Sequence, residues 1–387
     1  MQKKNNMRVY LDNAATTPVA PEVIEAMTPY LGEFFGNPSS THYFGRQTKG
    51  AIEQARRNIA KLLGCTPAEI IFTSGGTEAD NIAIATGILN LGVTRIITSA
   101  IEHHAVGHTA EAYCENGSIE LCQIDLDSKG NIDMDQLKSL LEMKREGKTM
   151  VSFMHANNEI ATLLPIKEVG DLCKLNGAYF HSDTVQTMGH YPFDLKNQNV
   201  DFITGAAHKF HGPKGIGFLY VNKALKATTL IHGGSQERGL RGGTENLMGI
   251  VGLSKALELA YTDLTEHQNH VQGLKTHMMA ELKINFPDIS FHGETDPQKS
   301  LYTVLNVCLP ATPKSEMLLF TLDLKGVACS GGSACTAGAN TGSHVLRGIN
   351  ADTTRPNVRF SFSRYTTKAE IDFAITQLIS TYEIALV

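Results

Sequence analysis

Lys209 stands in the run Gly205-Ala-Ala-His-Lys-Phe-His-Gly-Pro-Lys-Gly215, directly after an apolar segment that reads as a strand. An amine kept from water among alanines and glycines is a competent nucleophile toward an aldehyde, whereas a lysine in a plain surface turn does no chemistry. Two other stretches bear on that choice. Ser74-Gly-Gly-Thr-Glu78 lies between an apparent strand and an apparent helix, where free backbone N–H groups and the positive helix end could cradle a phosphate. It lacks the Gly-Lys-Ser/Thr ending of a nucleotide P-loop, and taken alone it also reads as a tight bend. Tyr179-Phe-His-Ser-Asp183 ends an apolar strand in a carboxylate upstream of Lys209. Phosphate turn, acid and lysine thus follow one another on successive strand ends. A lysine joined to an aldehyde, with an aspartate on the pyridine nitrogen, is how proteins hold pyridoxal phosphate.

A thiol raises a second possibility. Cys335 sits in Val327-Ala-Cys-Ser-Gly-Gly-Ser-Ala-Cys-Thr-Ala-Gly338, a run too small-sided to pack around it, although free cysteine usually prefers the core. Ser, Gly and Ala keep such a tether loose, and five residues from Ser330 give it about 15 Å of reach. Cys329 reads as a small buried residue ending a strand; a metal pair or a disulfide with Cys335 is the alternative. Glu102-His-His-Ala-Val-Gly-His108 gathers three histidines. It is not His-Glu-x-x-His, and no cysteine or acid is spaced to complete a site, so no metal site is expected and His104 and His108 read as polar helix positions.

These residues need elements to position them. Apolar strands are expected over 69–73, 95–98, 119–123, 150–154, 178–181, 202–204 and 216–221, with helices over 80–89, 134–143 and 166–175 between them. Strand and helix taking turns implies a mainly parallel sheet wrapped by helices, with ligands at the carboxyl ends of the strands. One long connecting helix is expected over about 253–284, followed by a smaller α+β unit with strands over 301–309, 327–329 and 358–362. At 387 residues and 42% hydrophobic content, two domains are expected: 14–255 as the large one, and 1–13 with 256–387 as the small one. The 34 basic and 39 acidic residues give a net charge of −5 without long runs of either sign, which argues against nucleic acid or an anionic membrane as partner. No apolar run approaches membrane-helix length. Seven thinly spread cysteines point to a reducing cytoplasm.

Ordered along the chain, further motifs carry a family resemblance: Tyr10-Leu-Asp-Asn-Ala-Ala-Thr-Thr-Pro18, Gly36-Asn-Pro-Ser-Ser40, Glu102-His103, His155-Ala-Asn-Asn-Glu159, Arg238-Gly-Leu-Arg-Gly-Gly-Thr244, Ser333-Ala-Cys335 and Val358-Arg-Phe-Ser361. With the stretches above, they make the chain resemble the cysteine desulfurases of the NifS and IscS type. These belong to the class V aminotransferase group of fold type I pyridoxal-phosphate enzymes. The resemblance implies an α/β fold with a mainly parallel seven-stranded sheet in a large cofactor-binding domain, and a smaller α+β domain carrying the Cys335 loop. It implies that Lys209 links to pyridoxal 5'-phosphate and moves protons, that His103 stacks on its ring, and that Asp183 pairs with the ring nitrogen. Asn157 and Gln186 would bond the ring oxygen or the substrate carboxylate side. Gly76, Thr77 and His208 would hold the phosphate, with Thr244 arriving from the second subunit of a homodimer. Arg359 would grip the carboxylate of L-cysteine, a task suited to a planar bidentate donor.

Cys335 would take sulfur from L-cysteine as a persulfide, leave L-alanine, and pass the sulfur to an acceptor for iron–sulfur cluster assembly or thiolation. The resemblance leaves open a transient iron–sulfur cluster held by Cys335 together with a scaffold protein. It also leaves open a selenocysteine lyase, and whether Arg241 lines the site or braces a dimer. One departure stands out: Ala206 occupies a position where the family often has serine, so a phosphate hydroxyl contact is missing.

Overall fold

A computed structural model describes residues 7–115, 117–331 and 342–386, with side chains as far as Tyr382. Cys335 lies outside the described residues. Among those described, seven strands form the central sheet in the spatial order Ile70–Thr73, Gly217–Val221, Phe202–Ala206, Tyr179–Asp183, Lys148–Ser152, Val93–Ser99 and Glu120–Ile124. Neighbours run parallel except where Gly217–Val221 is a member of the pair. Six strands therefore deliver their carboxyl ends to one edge.

Sheets with both faces covered need strands that are apolar on both sides, and the strands Ile70–Thr73, Phe202–Ala206 and Gly217–Val221 are buried throughout. On one face Ile59 and Leu63 of the helix Tyr43–Leu63, with Leu253 and Leu257 of Leu247–Thr262, share a core with Phe180, Ile203 and Phe218. On the other, Ile82 of Gly76–Leu91 and Val106 of His104–Cys114 meet Ile71, Ile96 and Leu219. Ile71 and Phe72 thus serve opposite cores, as period-two alternation requires.

A separate core gathers around the antiparallel strands Ser290–His292, Val304–Cys308 and Asn357–Ser361. Leu274 and Met278 of the helix Leu264–Asn285 and Ile371 and Leu378 of Lys368–Leu386 pack there against Val358 and Phe360. The strand Val9–Tyr10 pairs in parallel with Val327–Ala328 and adds Val9 to the same core. The expected single connecting helix is two, Leu247–Thr262 and Leu264–Asn285, broken at Asp263, whose φ of −125° and ψ of 44° are not helical. The first helix buries its apolar side in the sheet core and the second in the other core, and neither Gly nor Pro marks the change of direction. No helix among the described residues is long and apolar enough to cross a membrane.

One buried ion pair fastens the edge strand to the segment that follows the sheet. Arg56 forks onto Glu237 at 2.7 and 2.6 Å and donates to Ile70 O at 2.8 Å, while Phe72 N donates to Glu237 Oε2 at 2.9 Å. Arg56→Ala leaves the Glu237 carboxylate buried and unpaired, a change that costs about 3–5 kcal/mol. A drop of that size in urea unfolding free energy is expected; a loss below 1 kcal/mol would mean that water reaches Glu237.

Candidate active site

Strand ends and the segment containing Ala14 and Ala15 surround a cavity of about 270 Å³. Lys209 enters it from the turn Ala207–Lys209, immediately after the strand Phe202–Ala206. Its Nζ donates to the backbone carbonyls of Ala14 at 2.6 Å and Ala15 at 2.9 Å. Thr17 N and Oγ1 donate to His208 O at 2.9 and 3.0 Å. His211 sits in the left-handed region at φ 67°, which costs a non-glycine residue about 1–2 kcal/mol. Its N–H bond to Thr17 Oγ1 at 2.8 Å offsets part of that strain and closes the turn.

Acids line the floor. Asp183 closes its strand and accepts from Val185 N at 2.9 Å. Burial first, and then the neighbouring Asp80, push its pKa up. Asp80, on the helix Gly76–Leu91, lies 3.3 Å from His181 Nε2, and burial raises its pKa too. His103 precedes the helix His104–Cys114 and its Nδ1 accepts from Ala105 N at 3.1 Å, so a neutral ring carries its proton on Nε2. Burial lowers the His103 pKa. Asp80, His103 and Asp183 each offer a ligand atom within 4.8 Å of the others. Glu102 is buried behind them. Its carboxylate accepts from Ser99 Oγ at 2.7 Å and Met154 N at 2.8 Å, and its backbone carbonyl accepts from His344 Nε2 at 2.8 Å. Burial pushes the Glu102 pKa up to about 8, and the charges of Asp183 and Asp80 add to the shift.

At the opposite end Gly76 opens the helix Gly76–Leu91, and a Cβ there would lie 2.7 Å from Val185 Cγ2. A Cβ on Gly217 would lie 2.9 Å from Gly75 Cα, so the reversed strand presses directly on this turn. Thr77, Ala206 and His208 line the same end of the fold's cavity. His208 Nδ1 is 3.2 Å from Thr16 Oγ1, and burial lowers its pKa to about 4, which makes it a neutral donor. Ala206 is buried and presents only a methyl group. Arg241 is absent from the lining; it forks onto Glu78 at 2.9 and 3.3 Å, and Glu78 also accepts from Ser74 N at 2.7 Å. Arg241 therefore braces the turn from outside.

Arg359 reaches the cavity from the strand Asn357–Ser361. It is 1% exposed, donates to Asp12 Oδ1 at 2.9 Å and Asn158 O at 3.0 Å, and keeps an Nε without a hydrogen-bond partner among the described residues. Gln186 lines the cavity and donates to Ala14 O at 3.1 Å. Asn157 does not line it: Oδ1 accepts from Glu159 N and Ile160 N at 2.8 and 3.0 Å, and Nδ2 donates to Ile101 O at 2.9 Å. Its amide shapes the loop that presents Asn158 and Glu159. Thr244 is exposed and away from this cavity. Both flanks of residues 332–341 lie at the rim: Ser330 pairs with Arg359 through backbone bonds, and Ser343 Oγ donates to Glu159 Oε2 at 2.5 Å. Asp80, Glu102 and His344 had no role in the sequence reading; only Glu102, beside His103, stood in a quoted motif.

A model of the aminotransferase class-V family matches residues 9–373. The chain belongs to that family. Within it the chain is of the NifS and IscS type. It is 43% identical to the cysteine desulfurase IscS of Dictyoglomus turgidum, covering 96% of this chain and 93% of that one. It is 42% identical to the putative cysteine desulfurase IscS 1 of Bacillus subtilis, covering 95% and 96%. Among solved structures, a NifS-like protein superposes with a TM-score of 0.89 at 34% identity, over 98% of this chain and 100% of that one. A structure of SspA in complex with cysteine gives 0.79 at 33%, over 93% and 100%. The fold is thus that of fold type I pyridoxal-phosphate enzymes, and the cofactor is pyridoxal 5'-phosphate. The residues present fit it: a helix N-terminus cleared by Gly76 for a phosphate, a buried acid for a ring nitrogen and an amine for an aldehyde.

The raised Glu102 pKa has a sign that can be checked. Between about pH 4.5 and 8 an unfolded chain has released this proton while the folded, cofactor-free chain keeps it. Stability therefore falls with rising pH across that window, by up to about 1.4 kcal/mol per unit from this group. Glu102→Gln can still accept from Met154 N through its amide oxygen and donate to Ser99 Oγ through its amide nitrogen, and it is expected to flatten the profile of urea unfolding against pH. An unaltered profile would show that Glu102 is ionised in the fold.

Proposed function

We propose that the chain is a cysteine desulfurase that takes sulfur from L-cysteine onto Cys335 and releases L-alanine. The observation that carries this reading is the tethering of the Cys335 segment. Ser330 is paired with Arg359, Ser343 with Glu159, and His344 with Glu102, all beside the cavity that holds Lys209. Cys335 lies five positions after Ser330, a reach of at most about 15 Å from that anchor.

The roles follow from the groups in place. The unpartnered Arg359 Nε, together with its planar fork, binds the substrate carboxylate in competition with Asp12. Gly76, Thr77 and His208 hold the cofactor phosphate, Asp183 the ring nitrogen, Lys209 the aldehyde, and His103 covers the ring face, with Gln186 beside it. Bound pyridoxal phosphate supplies an electron sink for the pair left on the substrate carbon. The Cys335 thiolate attacks the substrate sulfur, the carbon–sulfur bond breaks as the sulfur–sulfur bond forms, and Lys209 delivers a proton toward the alanine carbon. No outside oxidant is needed, because the carbon is reduced as the sulfur is oxidised.

Sulfur then passes to an acceptor protein for iron–sulfur cluster assembly or thiolation, and a cluster shared between Cys335 and a scaffold is compatible with that tether. The enzyme works as a homodimer with Thr244 serving the partner's phosphate site. Support for that comes from the exposed apolar side chains Leu31, Phe35, Tyr43 and Phe44, of which Phe35 is 70% exposed. A cytoplasmic setting accords with six free thiols among the described residues. We place the unit boundaries at 14–255 and at 1–13 with 256–387.

Holoenzyme incubated with L-cysteine and a reductant is expected to yield alanine and sulfide in equal amounts; keto acid without sulfide would instead mark a transaminase. Lys209→Ala is expected to abolish the absorbance of lysine-bound cofactor, and an unchanged spectrum would remove Lys209 from its role. Cys335→Ser is expected to retain that absorbance and lose sulfide release by at least about 100-fold. Full turnover by this variant would place the sulfur acceptor elsewhere.

A further inference from the structure

The helix His104–Cys114 carries His104 and His108 one turn apart, on a single face. The sequence offered them no third partner, but the fold does. His344, from the far side of the Cys335 segment, packs against His104 with ring centroids 4.3 Å apart, and His108 lies 4.5 Å from His104 on the helix. We propose that His104, His108 and His344 form a binding site for a divalent transition-metal ion of the zinc, cobalt or nickel kind at the mouth of the active-site cavity.

Tautomer and access support it. His344 Nε2 faces the carbonyl of Glu102 at 2.8 Å, so it must carry the proton, which leaves the Nδ1 lone pair for an ion. Metal-binding histidines commonly donate their other ring N–H to a carbonyl in this way. Two imidazoles on a tetrahedral ion, with metal–nitrogen bonds of about 2.1 Å, place their centroids about 5.3 Å apart. The observed separations of 4.5 and 4.3 Å are about 1 Å shorter. As the side chains stand, the His104 and His108 rings are stacked and the His344 ring is tilted by 35° against His104, and their nitrogens are not gathered as tightly as those of Asp80, His103 and Asp183. Occupation therefore requires His104 and His108 to turn about χ2. His104 and His344 line the cavity while His108 is exposed, which gives an ion a route from solvent. The charge of Glu111, one turn beyond His108, favours a cation there, and Arg347 opposes it.

Imidazole donors without thiolate select transition metals over calcium and magnesium. Three protein ligands leave a coordination position for water or a small anion. A bound ion would tie the end of the Cys335 segment to the helix that follows His103.

The test uses holoenzyme, in which the cofactor fills the cavity holding Asp80, His103 and Asp183, and carries Cys335→Ser so that the thiol cannot bind metal. Calorimetric titration with zinc, and the visible spectrum on adding cobalt, are expected to show one ion per chain. His108→Ala, at an exposed position, and His344→Gln are each expected to weaken binding by about tenfold or more. Calcium and magnesium are expected not to compete. Absence of stoichiometric binding would overturn the proposal, as would zinc affinity unchanged in His108→Ala. Neither result bears on desulfuration, which is read separately from alanine and sulfide in the chain with Cys335 intact.

Discussion

The amine of Lys209 is held by two backbone carbonyls, those of Ala14 and Ala15, and the site depends on that grip. The carbonyls belong to a short segment that is itself fastened on both sides. Ala14 N donates to Ser361 Oγ at 2.8 Å and Asn13 Nδ2 to Ser361 O at 2.9 Å, in the smaller core's sheet. Thr17 closes the Lys209 turn from the other side. Asp12 pairs with Arg359 in the same stretch. One segment thus sets the lysine and the arginine relative to each other, and any shift between the two cores moves both. Catalysis that requires an amine and a carboxylate anchor to meet one small substrate is sensitive to displacements of about 1 Å, so a fixed common support has a clear value.

Electrostatic tension is concentrated below that support. Asp80, Glu102 and Asp183 are all buried, and burial raises the pKa of each. Buried carboxylates crowded in this way resist ionising together. A pyridinium nitrogen placed against Asp183 would relieve that resistance by supplying the missing positive charge, so cofactor binding and the acid cluster stabilise one another. The same reasoning gives Glu102 a positioning part. It joins the ends of the strands Val93–Ser99 and Lys148–Ser152 through Ser99 and Met154, and it joins them to the residues after the Cys335 segment through His344. The floor of the site and the far anchor of the thiol therefore share one buried group.

Much of this was legible in the residues themselves. Continuous apolar runs located the central strands to within a residue or two, because burial on both faces leaves no other pattern open to the inner ones. Strand-end residues such as Asp183, and turn residues such as Gly76 and Lys209, announced themselves because parallel strands deliver their ends to one edge. The break at Asp263 was not legible, since helical propensity is local while the change from one core to another is not. The loop partners of Asn157 were not legible for a related reason. A motif shows that an amide is present, but whether it faces a ligand or its own loop depends on which backbone N–H groups come to lie beside it.

The amino-acid sequence by itself determined the order of strands and helices along the chain, the reactive types at their ends and the small-sided run around Cys335, because these rest on periodicity and chemical type along the chain. Tertiary structure alone decided that Arg241 braces Glu78, that Glu102 reaches His344, and that His104, His108 and His344 come together. Such contacts join residues far apart in sequence, and their energies come from burial and from partners that exist only once the chain has closed upon itself.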